Sequence, residues 1–270
     1  MSTHDQCSAH TAVSRRSALR AAAFAGSGVL LSTAIDLGGA RPAEAASEPR
    51  VYTRSEWGAR SPVRAAQVVS APDHIVVHHT ATANSGDSSL GHAKGLSRFI
   101  QRYHMDNNGW DDVGQQLTIS RGGHVMEGRN RSLSAIRDGS HVLGAHTANH
   151  NSHTVGIENE GTYSSATPPN DLWQALADTC AWLCLVYGLS PHSAIVGHRD
   201  YNSTGCPGDQ LYSMLPELRR QVATRLRTVD RMLAERGRDS DVPPGHRPTF
   251  PDVPERERGA RFEHGPAAGS

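Results

Sequence analysis

The chain has 270 residues, 27 of them basic and 27 acidic, so its formal net charge at neutral pH is zero. With 37% hydrophobic and 20% charged residues, it has ordinary globular composition, enough for one sizeable core or two small ones. A balanced charge argues against a nucleic-acid binder, which would carry a basic excess or stripe, but not against a polar, roughly neutral ligand.

Reading from the start, Ser14-Arg15-Arg16-Ser17-Ala18-Leu19-Arg20 is a twin-arginine pattern. It runs into fifteen uncharged residues, Ala21 to Ile35. That run is short of the roughly 20 apolar residues a membrane span needs. Ala43-Glu44-Ala45 then offers small residues where a signal peptidase cuts. Residues 1–45 are read as a twin-arginine signal peptide, with the mature protein exported to the cell wall or beyond and not held in a membrane. This route carries proteins folded, often with their metal bound.

Removing the leader removes Cys7 and leaves Cys180, Cys184 and Cys206, an odd number for an oxidising compartment. The mature chain opens on a polar segment, VYTRSEWGARSP, that holds Trp57. In APDHIVVHHTATA, Ile75, Val76 and Val77 predict a short buried strand ending at His78 and His79. Leu96, Phe99, Ile100 and Tyr103 predict one face of a helix. VGQQLTISRGGHVMEGR reads as two strands joined by a turn at Gly122-Gly123. HTVGIENEGTY is a further strand, Val155 and Ile157 facing one way and Gly156, Glu158 and Glu160 the other.

A helix follows, signalled by Asn170-Asp171 after two prolines, with Leu172, Leu176, Cys180, Leu183, Cys184 and Tyr187 at helical spacing. Cys180 and Cys184 are small core residues on this reading, since same-face pairs on one helix are poorly placed for a disulfide. Ala194-Ile195-Val196 is a short strand leading into GHRDYNSTGCPG. A last helix runs from about Leu211 or Pro216 towards Glu235, and residues 237–270 read as a disordered tail rich in Pro, Gly and charge. The economical fold is a single mixed α/β domain over residues 50–235.

Zinc takes imidazole nitrogen and thiolate sulfur readily, and a catalytic zinc keeps three protein ligands with a fourth position for water. His78 ends a buried strand; His198 follows another, and Cys206 stands on the adjoining loop. They make a candidate His-His-Cys set, although sixteen histidines are present and no local spacing matches a zinc finger. Amide hydrolysis at such a metal also needs a base. Glu158 is a carboxylate in an otherwise apolar strand; burial without a partner would raise its pKa and suit that role, while a solvent-facing Glu is the alternative.

These motifs, in order RSEWGAR, IVVHHTA, GWDDVGQQLTISRGGHVMEGR, GAHTANHNSHTVGIENEG and GHRDYNSTGCPG, cover roughly Arg54 to Cys206. Together they resemble the zinc-dependent N-acetylmuramoyl-L-alanine amidases of the type-2 fold, which include the peptidoglycan recognition proteins. The resemblance implies a central mixed β-sheet flanked by helices. It implies cleavage of the amide between the muramic acid lactyl group and the L-alanine of the peptidoglycan stem peptide. It puts the zinc ligands on His78, His198 and Cys206, and leaves His79 structural.

Many recognition-protein amidases carry a catalytic tyrosine where this chain has Gln115, which cannot titrate. A branch without that tyrosine uses a glutamate in a strand like GIENEGT, so the resemblance moves the base to Glu158. It places Thr204 where a Lys or Thr stabilises the oxyanion, and His146 where a groove residue contacts substrate near the metal. Asp200 is either a partner orienting His198 or a plain turn former. Trp57, Trp110 and Arg129 are groove or scaffold residues. The alternative to an enzyme is a non-catalytic module that recognises muropeptides; members of that kind typically lack the ligand cysteine. Nothing marks an oligomer interface, so a monomer is expected.

Overall fold

The computed structural model describes residues 47–236, with side chains as far as Arg231. The leader read at residues 1–45 and the tail read at 237–270 lie outside the described residues. The strands are β1 (Val51–Tyr52), β2 (Val68–Val69), β3 (His74–His79), β4 (Leu117–Ile119), β5 (Val125–Glu127), β6 (His141–Val142), β7 (Thr154–Asn159) and β8 (Ile195–Gly197). The α-helices are α1 (Arg54–Trp57), α2 (Leu90–Arg102), α3 (Ser132–Arg137), α4 (Asn170–Tyr187), α5 (Pro191–Ala194), α6 (Asp209–Ser213) and α7 (Leu215–Arg236).

Six strands form one sheet in the order β1-β5-β4-β7-β3-β8. Only β4 and β5, the expected hairpin, pair antiparallel; the other neighbours run parallel. β2 and β6 make a separate antiparallel pair. The mixed sheet with flanking helices is the α/β fold read from the sequence.

Strand alternation divides the chemistry. On β3, Ile75 and Val77 join the main apolar core with Val155 and Ile157 of β7, against Leu172, Leu176, Cys180 and Leu183 of α4. His74, Val76 and His78 take the other face, as do Gly156 and Glu158 of β7. Part of that face is covered by α2, whose Ala93, Leu96 and Ile100 pack with Trp57 and Met126. The remainder holds the polar residues.

α2 is capped by Ser89, whose hydroxyl accepts from His92 N at 3.1 Å. Phe99, expected on its buried face, is 42% exposed. The buried set is Ala93, Leu96, Ser97, Ile100 and Gln101, and at 100° per residue Phe99 falls beyond its edge. The last helix is two helices, α6 and α7, and Ala194 ends the one-turn α5 rather than opening β8. α1 is the element the polar opening segment concealed; Trp57 is buried there and its Nε1 donates to Glu127 O at 2.8 Å. It is scaffold. Cys180 and Cys184 are buried free thiols, as expected, and burial pushes both thiol pKa values up.

Candidate metal centre

β3 delivers His78 at its C-terminal end, and β8, its parallel neighbour, ends one residue before His198. A single 3₁₀ turn, His198–Asp200, starts the loop that returns Cys206. One ligand atom from each of His78, His198 and Cys206 lies within 4.8 Å of the others, and all three residues are buried. Cys206 Sγ is 3.6 Å from His78 Nδ1, and the two imidazole centroids are 4.5 Å apart.

Hydrogen bonds fix which nitrogens turn inward. His198 Nε2 lies 3.1 Å from Asn202 Oδ1, an acceptor, so Nε2 carries the proton and Nδ1 the lone pair. His78 Nε2 lies 3.1 Å from His146 Nδ1, which leaves Nδ1 as the nitrogen facing Cys206. The backbone N–H of His79 donates to Cys206 Sγ at 3.3 Å. Two imidazoles with outer N–H groups held by partners, plus one thiolate, fit a three-protein-ligand zinc site.

The proposed base stands beside this set. In the parallel pairing of β3 and β7, Glu158 is directly opposite His78; in that of β4 and β7, Thr118 is opposite Glu158. Side chains in register share a face on strands about 4.8 Å apart. Glu158 is 1% exposed, so the solvent-facing alternative is set aside. Gln115, fully buried, donates from Nε2 to Thr118 Oγ1 at 2.8 Å. Thr204 Oγ1 accepts from Cys206 N at 3.1 Å, tying the threonine to the candidate ligand cysteine.

His146, expected as a groove residue, is fully buried; its Nδ1 meets His78 Nε2 and, at 2.9 Å, Thr147 Oγ1. The contact made here is with His78, a candidate ligand. A Cβ on Gly156 would come within 2.6 Å of the His146 ring, so β7 needs glycine there for the ring to fit. Asp200 turns out to form the turn: Gly197 N donates to its Oδ2 at 2.8 Å and Tyr212 OH donates to its Oδ1. Asn202 orients His198 instead, and no spacing signal marks it in the sequence. His79 accepts from Tyr163 N at 3.2 Å, a scaffold contact. Arg129 donates to Val113 O at 2.9 Å.

The family profile described as N-acetylmuramoyl-L-alanine amidase (Amidase_2) matches residues 69–209, which include all three clustered ligand candidates. The human N-acetylmuramoyl-L-alanine amidase is 31% identical over 197 residues, 72% of this chain but 33% of the human protein; the match thus spans about a third of that relative. Among solved structures, wild-type Drosophila PGRP-LB is similar with a TM-score of 0.54 and 28% identity, over 62% of this chain and 92% of that one. Peptidoglycan recognition protein-LE, solved in complex with tracheal cytotoxin, a monomeric diaminopimelic acid-type peptidoglycan, gives 0.53 and 26%, over 61% and 91%. This chain belongs to the N-acetylmuramoyl-L-alanine amidase (Amidase_2) family, together with the peptidoglycan recognition proteins.

Proposed function

We propose that this chain is a zinc-dependent N-acetylmuramoyl-L-alanine amidase, exported by the twin-arginine route. It hydrolyses the amide between the muramic acid lactyl group and the L-alanine of peptidoglycan stem peptides. The observation that carries this reading is the buried convergence of His78, His198 and Cys206 with Glu158 opposite His78. Zinc held by those three side chains would supply Lewis acidity towards a carbonyl oxygen and lower the pKa of water.

The remaining work falls to the chain's own residues. Glu158 accepts a proton from the attacking water and returns it to the alanine nitrogen as the C–N bond breaks. Thr204, its oxygen engaged by Cys206 N, donates its hydroxyl hydrogen to the oxygen that gains charge; losing such a donor costs on the order of 3 kcal/mol. Asn202 and His146 keep the two imidazoles turned inward, and His146 borders the lactyl–alanine amide through His78. Because PGRP-LE was solved with a monomeric diaminopimelic acid-type muropeptide, soluble fragments belong among the test substrates besides the polymer. No helix among the described residues is long and apolar enough to cross a membrane, consistent with action on the wall from solution.

A muropeptide-recognition module is the second reading, favoured by Gln115 at the position of the family tyrosine. Metal content and amide cleavage, measured on purified peptidoglycan and a diaminopimelic acid-type muropeptide, separate the two. Glu158→Gln is expected to keep zinc and lose roughly 10²–10⁴-fold in kcat. Cys206→Ser is expected to lose activity together with the zinc of the His78–His198–Cys206 centre. A wild-type protein that binds zinc and muropeptide but cleaves neither substrate would establish the recognition reading.

A further inference from the structure

His74 and His78 lie on the same face of β3, at opposite ends, and a second polar cluster surrounds His74. Asp73 and His153 precede β3 and β7, and Asp73 N donates to His153 O at 2.9 Å, so the parallel pairing sets their side chains together. One carboxylate oxygen, Asp73 Oδ1, is 2.6 Å from His74 Nδ1 and 2.8 Å from His153 Nδ1. One donor atom from each of the three residues lies within 4.8 Å of the others. His153 Nε2 in turn lies 3.1 Å from His150 Nδ1. His74 is 5% exposed, and its Nε2 has no hydrogen-bond partner among the described residues.

We propose that Asp73, His74 and His153 form a second divalent-metal site. It would take a borderline cation such as Zn²⁺, Ni²⁺ or Cu²⁺ and is separate from the His78–His198–Cys206 centre. Two imidazoles and a carboxylate are the donor types these ions prefer. Metal–ligand distances of about 2.0–2.1 Å in a tetrahedral arrangement need donors roughly 3.3 Å apart. The 2.6 and 2.8 Å contacts would therefore open by about 0.7 and 0.5 Å, with no change of fold. In the metal-bound form each imidazole presents Nδ1 as a lone pair and carries its proton on Nε2, and His150 stands ready to accept that proton's hydrogen bond from His153. Asp73, with a side chain 49% exposed, and His153, 25% exposed, give the ion a way in from solvent.

Position assigns the site a bracing role. A cation here would join the starts of the neighbouring strands β3 and β7. Tyr201 stacks on His150 at 4.3 Å between centroids and meets His74 and His153 edge-on at 6.0 and 5.9 Å. Tyr201 lies in the turn that carries His198 and Asn202, so the brace reaches the support of the first centre. The inference does not depend on the amidase reading.

The test is titration of the metal-free full chain with Co²⁺ and Zn²⁺, with absorption spectra and equilibrium metal counts. Two equivalents are expected. One produces a thiolate-to-cobalt charge-transfer band, which only a cysteine ligand gives; the other produces visible ligand-field bands alone. Asp73→Asn, at a half-exposed position that should leave folding intact, removes the second equivalent and keeps the thiolate band. His153→Gln does the same, and Cys206→Ser removes the band while leaving the second equivalent bound. A single equivalent in the wild type that carries the thiolate band, or a second one that survives both Asp73→Asn and His153→Gln at unchanged affinity, would overturn the site. Loss of only the thiolate band from the wild type would count against the His78–His198–Cys206 centre and leave this one standing.

Discussion

At the scale of single residues, the centre depends on groups that do no chemistry. Gly156 is the clearest, because an added methyl would overlap the His146 ring at 2.6 Å in the middle of a buried strand. Gly156→Ala should displace His146 from His78, lower stability by about 1–3 kcal/mol and weaken zinc binding. Denaturant unfolding and zinc competition measure both effects; an unchanged zinc affinity would mean that His146 does not orient the ligand. His78 and Glu158 could be singled out because one ends a strand and the other lies in a strand with alternating faces; His198 and Cys206 came from motif order, and the structure brings both beside His78. Asn202 could not be singled out, nor could the burial of His146, since both follow from side-chain pairings between distant segments. Asp200 looked equally suited to two roles by sequence, and only its contacts with Gly197 and Tyr212 chose the turn.

At the scale of elements, α4 is the backbone of the core. Its residues Leu172, Leu176, Cys180 and Leu183 are fully buried beneath β3 and β7, the strands that carry His78 and Glu158. Leu176→Ala should cost about 2–5 kcal/mol, read as a lower denaturation midpoint at unchanged slope. If the loss is below 1 kcal/mol, the packing described for this helix is wrong. The long helices and the longer strands were legible because their periodicity extends over several turns or alternations. β1, β2 and β6, two residues each, carry too little pattern to be recognised alone. Phe99 illustrates the opposite error: an apolar side chain near the edge of a helical stripe does not reveal from sequence that its neighbours stop short of covering it.

For the molecule as a whole, histidine burial ties stability to pH. His141 is buried on β6 between two carbonyl oxygens, Ser70 O at 2.5 Å and Asn151 O at 3.3 Å. Burial lowers its pKa below the ordinary value, and the hydrogen bonds to Ser70 and Asn151 offset that only in part. A histidine with a depressed folded pKa binds fewer protons in the native state than in the unfolded one. Its contribution is therefore complete above the unfolded value of about 6.5 and is withdrawn as pH falls towards the folded pKa. Metal-free protein should lose stability between pH 7 and pH 5 in urea titrations, and His141→Asn should flatten that slope. An identical slope in the variant would assign the acid sensitivity to other groups.

The separation of the donors along the chain sets an order of events in the cell. Cys206 stands 128 positions after His78, so a nascent chain still lacking its last third offers at best one imidazole of the trio. If the trio holds zinc as proposed, loading waits until translation has passed the cysteine and β8 has docked beside β3. A fragment ending before residue 206 would leave the ribosome with most of its sheet encoded and without the third candidate donor.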